Sequence, residues 1–138
     1  MTAPPIQGTL EAALYAADLD AAESFYAQVI GLTPIGRVAR RHVFFRVGAS
    51  VLLIFNPEVT ARPAAAGARL PVPAHGMRGK GHYCFAVKAD DLDGWRRHLE
   101  ASGVGIEADF CWPNGARSLY LRDPAGNSVE FAEPGLWF

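Results

Sequence analysis

The chain is short of everything that marks a secreted, membrane-bound or nucleic-acid-binding protein. Of its 138 residues only two are cysteine, Cys84 and Cys111. That is too few for a disulfide framework. It fits a reducing compartment, where both thiols are expected to pack as small hydrophobes with no bridge between them. No apolar run approaches the length of a membrane span. Met1-Thr2-Ala3-Pro4-Pro5 lacks the charged and hydrophobic regions of a secretory leader, so a cytoplasmic location is expected. Surplus charge is missing too. Thirteen Lys and Arg against fourteen Asp and Glu leave a net charge of −1, which gives no electrostatic basis for nucleic acid or an anionic membrane. Charged residues make up 20% and hydrophobic ones 50%, enough apolar material for a core and too much for disorder. The length suits a single domain spanning 1–138.

What is present is a repeat. Thr9 to Ala16 alternates with period two and reads as a strand; Asp18 suits an N-cap; Leu19, Ala22, Phe25/Tyr26 and Val29 recur at helical spacing; Gly31 closes the helix. Three further strands follow over Thr33 to Val38, His42 to Val47 and Ser50 to Asn56, the last two joined by a Gly48-Ala49 turn. The scheme then returns. His82 to Val87 is a strand, Leu92, Trp95 and Leu99 make a helical stripe, and Gly103 ends it. Strands are expected at Gly105 to Phe110, Ala116 to Leu121 and Ser128 to Glu133, separated by Asn114-Gly115 and Asp123-Pro124-Ala125-Gly126-Asn127 turns. The first module covers about 9–57 and the second about 80–134. The proline-rich stretch 58–79 between them has no periodicity and reads equally as linker or lid. Eight strands and two helices make an α+β pattern of two tandem βαβββ units.

Alternation divides each strand into faces. Tyr83, Phe85 and Val87 belong under the helix, which leaves His82, Cys84 and Ala86 on the other side. Leu10 and Leu14 likewise go under the first helix and leave Glu11 and Ala13 opposite; Val129 and Phe131 leave Glu130 and Ala132. The non-helix face thus carries small residues and one ionisable group per strand. An ionisable group in a concave space needs a partner or a cation. Glu11, His82 and Glu130 together offer one imidazole and two carboxylates to a divalent metal. Taken singly, each is better read as a satisfied structural polar group or a strand-edge residue; the case rests on their matched places in the repeat.

Leu14-Tyr15 before Asp18-Leu19, the helix running through Phe25-Tyr26 to Ile30-Gly31-Leu32, and Asp123-Pro124-Ala125-Gly126-Asn127-Ser128-Val129-Glu130 carry a resemblance. The chain resembles the vicinal oxygen chelate superfamily, which groups glyoxalase I, bleomycin and fosfomycin resistance proteins and extradiol dioxygenases. The resemblance implies modules forming a curved mixed sheet around a U-shaped cleft, in a homodimer. It implies metal positions on the first and last strands of each module, which fall on Glu11, Leu52, His82 and Glu130. Glu11 departs from the usual His or Gln, and Leu52 cannot ligate, which argues against a standard glyoxalase I. A substrate with two neighbouring oxygens would chelate Mn, Fe, Zn, Mg or Ni, with Glu11 as ligand or general base and Glu130 as the second catalytic carboxylate.

The cleft wall is expected from Phe45, Trp112, Ser118 and Tyr120, with Arg46, Arg117 and His42 as further candidates and His42, His75 and His98 exposed. The apolar tail Leu136-Trp137-Phe138 is expected to dock on the body or on a second subunit. The expected function is a metal-dependent lyase, isomerase or dioxygenase acting on a small oxygenated molecule. The alternatives are a metal-free protein that sequesters a small compound, as bleomycin resistance proteins do, and a non-catalytic regulatory domain.

Overall fold

The computed structural model describes residues 1–138. Strand β1 (Glu11–Tyr15) leads through helix α1 (Leu19–Ser24) and its π-helical continuation (Phe25–Val29) to β2 (Thr33–Val38), β3 (His42–Val47) and β4 (Ser50–Phe55). A short helix α2 (Pro57–Thr60) opens the inter-module stretch. The second unit holds β5 (His82–Ala86), α3 (Leu92–Ala101), β6 (Ala108–Cys111), β7 (Arg117–Arg122) and β8 (Ser128–Ala132). Each unit forms one four-stranded mixed sheet, in the orders β1-β4-β3-β2 and β5-β8-β7-β6. β1 lies parallel to β4 and β5 parallel to β8, because the helix after each first strand carries the chain across the sheet. The sheets are curved and open, and the class is α+β.

The helices of both units share one core of 18 buried residues. In it Phe131 stacks between Phe85 and Trp95, with ring centroids at 5.4 and 4.6 Å. Burial of such a ring is worth about 2–3 kcal/mol. Polar bonds tie the units together: the Tyr26 hydroxyl donates to Asp123 Oδ2 at 2.7 Å, and Asn127 Nδ2 donates to the Tyr15 carbonyl at 3.1 Å. This packing takes up the helix side and leaves the opposite face of each sheet open.

Local departures from the sequence reading have local causes. Asp18 caps α1 as expected, accepting from Ala21 N at 3.0 Å. The helix then widens, with Ile30 N bonded to the Phe25 carbonyl at 3.0 Å, so that adjacent Phe25 and Tyr26 are both buried. Strand β6 begins at Ala108 rather than Gly105; before it, Glu107 N reaches the Tyr120 carbonyl ahead of the regular ladder. Leu10, expected under the first helix, precedes β1 and is 77% exposed. Both cysteines are free and exposed rather than packed inside.

Candidate functional site

The open face of the second sheet forms a cavity of about 530 Å³. His82 and Cys84 come from β5, Tyr120 from β7 and Glu130 from β8, with Cys84, Glu130 and Tyr120 side by side in register. Trp112 and Asn114 close one end, and Leu136 and Trp137 of the tail form a rim. The tail is held there by Asn114 Nδ2, which donates to the Gly135 and Leu136 carbonyls at 3.2 and 3.3 Å.

Glu130 is 4% exposed, and one of its oxygens is committed. Oε2 accepts from the Ser118 hydroxyl at 2.6 Å, and Ser118 Oγ in turn accepts from Trp112 Nε1 at 2.8 Å. Oε1 faces His82 Nε2 at 3.3 Å. His82 Nδ1 lies 3.0 Å from the Ser128 carbonyl, which can only accept, so Nδ1 carries the hydrogen. A neutral His82 therefore turns its Nε2 lone pair toward a carboxylate oxygen. That confrontation is relieved by a proton on Nε2 or by a cation between the two atoms. A backbone carbonyl on the far nitrogen is also the arrangement that orients metal-binding imidazoles. Around this pair, burial and then Glu130 push the Cys84 thiol up to about 12, and burial followed by Glu130 pushes Tyr120 up to about 12. Both stay protonated near neutral pH.

The first sheet has its own cavity, of about 750 Å³, lined by Glu11, Phe44, Leu53 and Phe55 and roofed by the stretch from Arg62 to His75. Glu11 therefore opens into a different hollow from His82 and Glu130. No group of three His, Cys, Asp or Glu within one chain is close enough to hold a metal. Within one chain an imidazole and a carboxylate meet at His82 and Glu130, and Glu11 stands apart in the other cavity.

Other expected residues are placed as follows. Trp112 and Tyr120 line the second cavity, and Ser118 is fully buried behind it as the support of Glu130. Phe45 does not line a cleft. It is fully buried on the helix side, 5.9 Å from the Tyr26 ring, because β3 turns Val43 and Phe45 inward and His42 and Phe44 outward. Leu52 is a core residue as well. The ladders pair Glu11 with Val51 and His82 with Ser128, so the first-module counterpart of Glu130 is Leu53, one residue later. Gly48 stands three residues before Val51 but Gly126 only two before Ser128, so counting from the turn glycines lands one residue early, on Leu52. The position is leucine either way. His42 and His75 are half-buried in the first cavity rather than exposed, whereas His98 is exposed as expected. Arg117 is occupied by Asp109 and Asp93 at 2.8 and 2.6 Å. Sequence reasoning missed Phe44; the run Val43-Phe45-Val47, apolar at every second position, was the signal for it.

Paired βαβββ units with open concave faces define the class. The chain belongs to the glyoxalase/bleomycin resistance protein/dioxygenase superfamily, whose family model matches residues 8–131. Among solved structures, it is similar to lactoylglutathione lyase from Agrobacterium tumefaciens at 44% identity and TM-score 0.91, over 97% of this chain and 98% of that one. It shares the fold of a glyoxalase/bleomycin resistance protein/dioxygenase from Nocardioides at 20% identity and TM-score 0.72, over 96% and 85% of the two chains. The same holds for the genomically encoded fosfomycin resistance protein of Listeria monocytogenes at 18% identity and TM-score 0.68, over 94% of each. Comparison with curated proteins found no match. Members of the superfamily bind small molecules, usually use a divalent metal and often dimerise. No helix is long and apolar enough to cross a membrane.

Proposed function

We propose that the chain is a metal-dependent enzyme acting on a small oxygenated molecule, with a site shared between two subunits. In this reading His82 and Glu130 of one copy face Glu11 of the other. The carrying observation is the opposed pair His82 Nε2 and Glu130 Oε1, 3.3 Å apart, with the far ends of both groups already bonded. The symmetry of the units supports the sharing, since Glu11 and His82 each begin the first strand of a module. A two-fold dimer that sets the first module of one copy against the second of its mate would complete both sites. A divalent cation bound there supplies Lewis acidity to a substrate bearing two adjacent oxygens. The protein's share is positioning: Trp112 fixes Ser118, Ser118 fixes Glu130, and Ser128 fixes the His82 tautomer. Glu11 is the carboxylate left to complete the donor set or to accept a proton from substrate.

The lyase relative bears on substrate, but leucine at 53 leaves the first module without an acid beside Glu11. The reading therefore stays with the wider class, and an assay for lactoylglutathione formation checks the narrower one, with little or no turnover expected. The shared site is tested by co-producing Glu11→Gln and His82→Ala chains and measuring bound metal by elemental analysis. Each variant alone should lose its metal. Mixed dimers contain one intact site and should hold about half the wild-type content. Mixed dimers as empty as the single variants would overturn sharing. A metal-free wild type from supplemented medium would favour the sequestering role instead.

A further inference from the structure

The first cavity is built from rings. His42 stacks on Phe44 with centroids 4.0 Å apart and planes at 8°. Phe55 stands edge-on to both, at 82° and 78°. His75 meets Phe55 edge-on at 4.6 Å and shares a 2.7 Å hydrogen bond with the Tyr15 hydroxyl. Flat walls meeting at right angles accept a flat ligand, face to one ring and edge to the next. The roof residues Pro63, Ala64, Leu70 and Val72 are apolar. A volume of about 750 Å³ is in the range of small-molecule pockets.

Charge selects further. The guanidiniums of Arg37, Arg96, Arg117 and Arg122 are each paired with a carboxylate. Arg41 and Arg62, which both line this cavity, make no such pair. Arg41 is held in place. Its NH1 donates to His42 Nδ1 at 2.9 Å, and its guanidinium carbon lies 5.7 Å from the centre of the Phe55 ring. The turn before it is fixed as well: Arg40 takes a left-handed conformation (φ 66°), and its carbonyl accepts from Asn56 Nδ2 at 3.0 Å. The Arg41 bond puts the His42 hydrogen on Nε2, adding a donor to the ring wall. Glu11 is the one acid lining the cavity, so an anionic group is driven away from it and toward the arginines.

We propose that this cavity binds a planar aromatic carboxylate, its ring packed into the corner where the His42–Phe44 stack meets Phe55 and its carboxylate on Arg41 and Arg62. This names a substrate class for the compartment that holds Glu11, and it rests on the shared-site reading only for the chemistry that would follow binding. The test is calorimetric titration of metal-stripped protein with 2-naphthoate, 2-naphthalenemethanol and cyclohexanecarboxylate. Working without metal keeps a failure here separate from a failure of the metal site. Naphthoate should bind, and the uncharged naphthalene should bind about tenfold more weakly for want of the charge-assisted bonds. The non-planar acid should bind more weakly still. Arg41→Gln should reduce the preference for naphthoate over the uncharged ligand, and Arg41→Gln with Arg62→Gln should erase it; Phe44→Ala should weaken both ring ligands. Naphthoate should also shift the His42 and His75 ring protons in the unaltered protein, a readout that no folding defect can mimic. No naphthoate binding, equal binding of the two naphthalenes, or a double arginine variant that keeps the preference would overturn the assignment.

Discussion

Single residues here are defined by what holds their far ends. Glu130 is buried, and its Oε2 depends on one hydroxyl, so Ser118→Ala leaves a charged acceptor short of a partner. We expect a loss of about 1–3 kcal/mol in urea unfolding, together with weaker metal retention. An unchanged midpoint would show that Glu130 is satisfied some other way. Cys84 opens into the cavity, but a thiol raised to about 12 is almost entirely protonated at pH 8. In a Cys111→Ser variant the remaining thiol should react with iodoacetamide far more slowly than free cysteine, and a rate equal to free cysteine would contradict that. Asp109 moves the other way. Bonds from Arg117, and then from Arg96, outweigh partial burial and hold its carboxyl at about 2. Its contribution is complete above the ordinary carboxylate value of about 4 and is lost as the pH falls through 2. The stability of Asp109→Asn should therefore fall less between those two values than that of the wild type. At this scale the sequence was partly legible. Strand alternation put His82, Cys84 and Glu130 on one face, and the three line one cavity; it gave no sign that β8 is buried on both faces, Glu130 included. It failed for Phe45 because β3 carries aromatic side chains on both faces, and composition alone cannot say which of Phe44 and Phe45 turns inward.

Elements were easier to find than to delimit. Helix caps, glycine turns and the Asn114-Gly115 hairpin marked where segments change. The π-helical stretch was invisible because it continues α1 without a break in helical spacing. It has a structural use: burying Phe25 and Tyr26 together lets the Tyr26 hydroxyl reach Asp123 in the other unit. Tyr26→Phe removes that bond and should cost about 1–3 kcal/mol in thermal or urea unfolding, since it leaves a buried Asp123 oxygen with one partner fewer. Gly81 sits at the same junction. A methyl group there would come within 3.0 Å of Leu14 Cδ2 and 3.2 Å of Asn127 Oδ1. Gly81→Ala should destabilise by about 1–3 kcal/mol unless Leu14 finds a new rotamer. Neither the aromatic hydroxyl nor the glycine announces its role in sequence, because each acts on a residue far along the chain.

For the molecule as a whole, the duplication was the legible feature, and from it came the α+β class and the two modules. What it could not give was which faces of the units meet. A repeat implies a shared cleft equally well if the partner unit lies in the same chain or in another. The side chains decide: apolar stripes on both helices join within the chain, and the two concave faces keep separate linings. The proline-rich stretch between the modules was open to two readings, and it lies over the first cavity as a roof. Few backbone bonds fasten it: Ala68 N to Ala65, Val72 N to Leu70, and His75 N to the Thr60 carbonyl at 2.9 Å. A segment held so lightly opens at far lower free energy than the sheets beneath it. Entry to the compartment then waits on that opening, so capture should be slower than diffusion allows. The same residues should be the first bonds a protease cuts, and an occupied compartment should delay the cut.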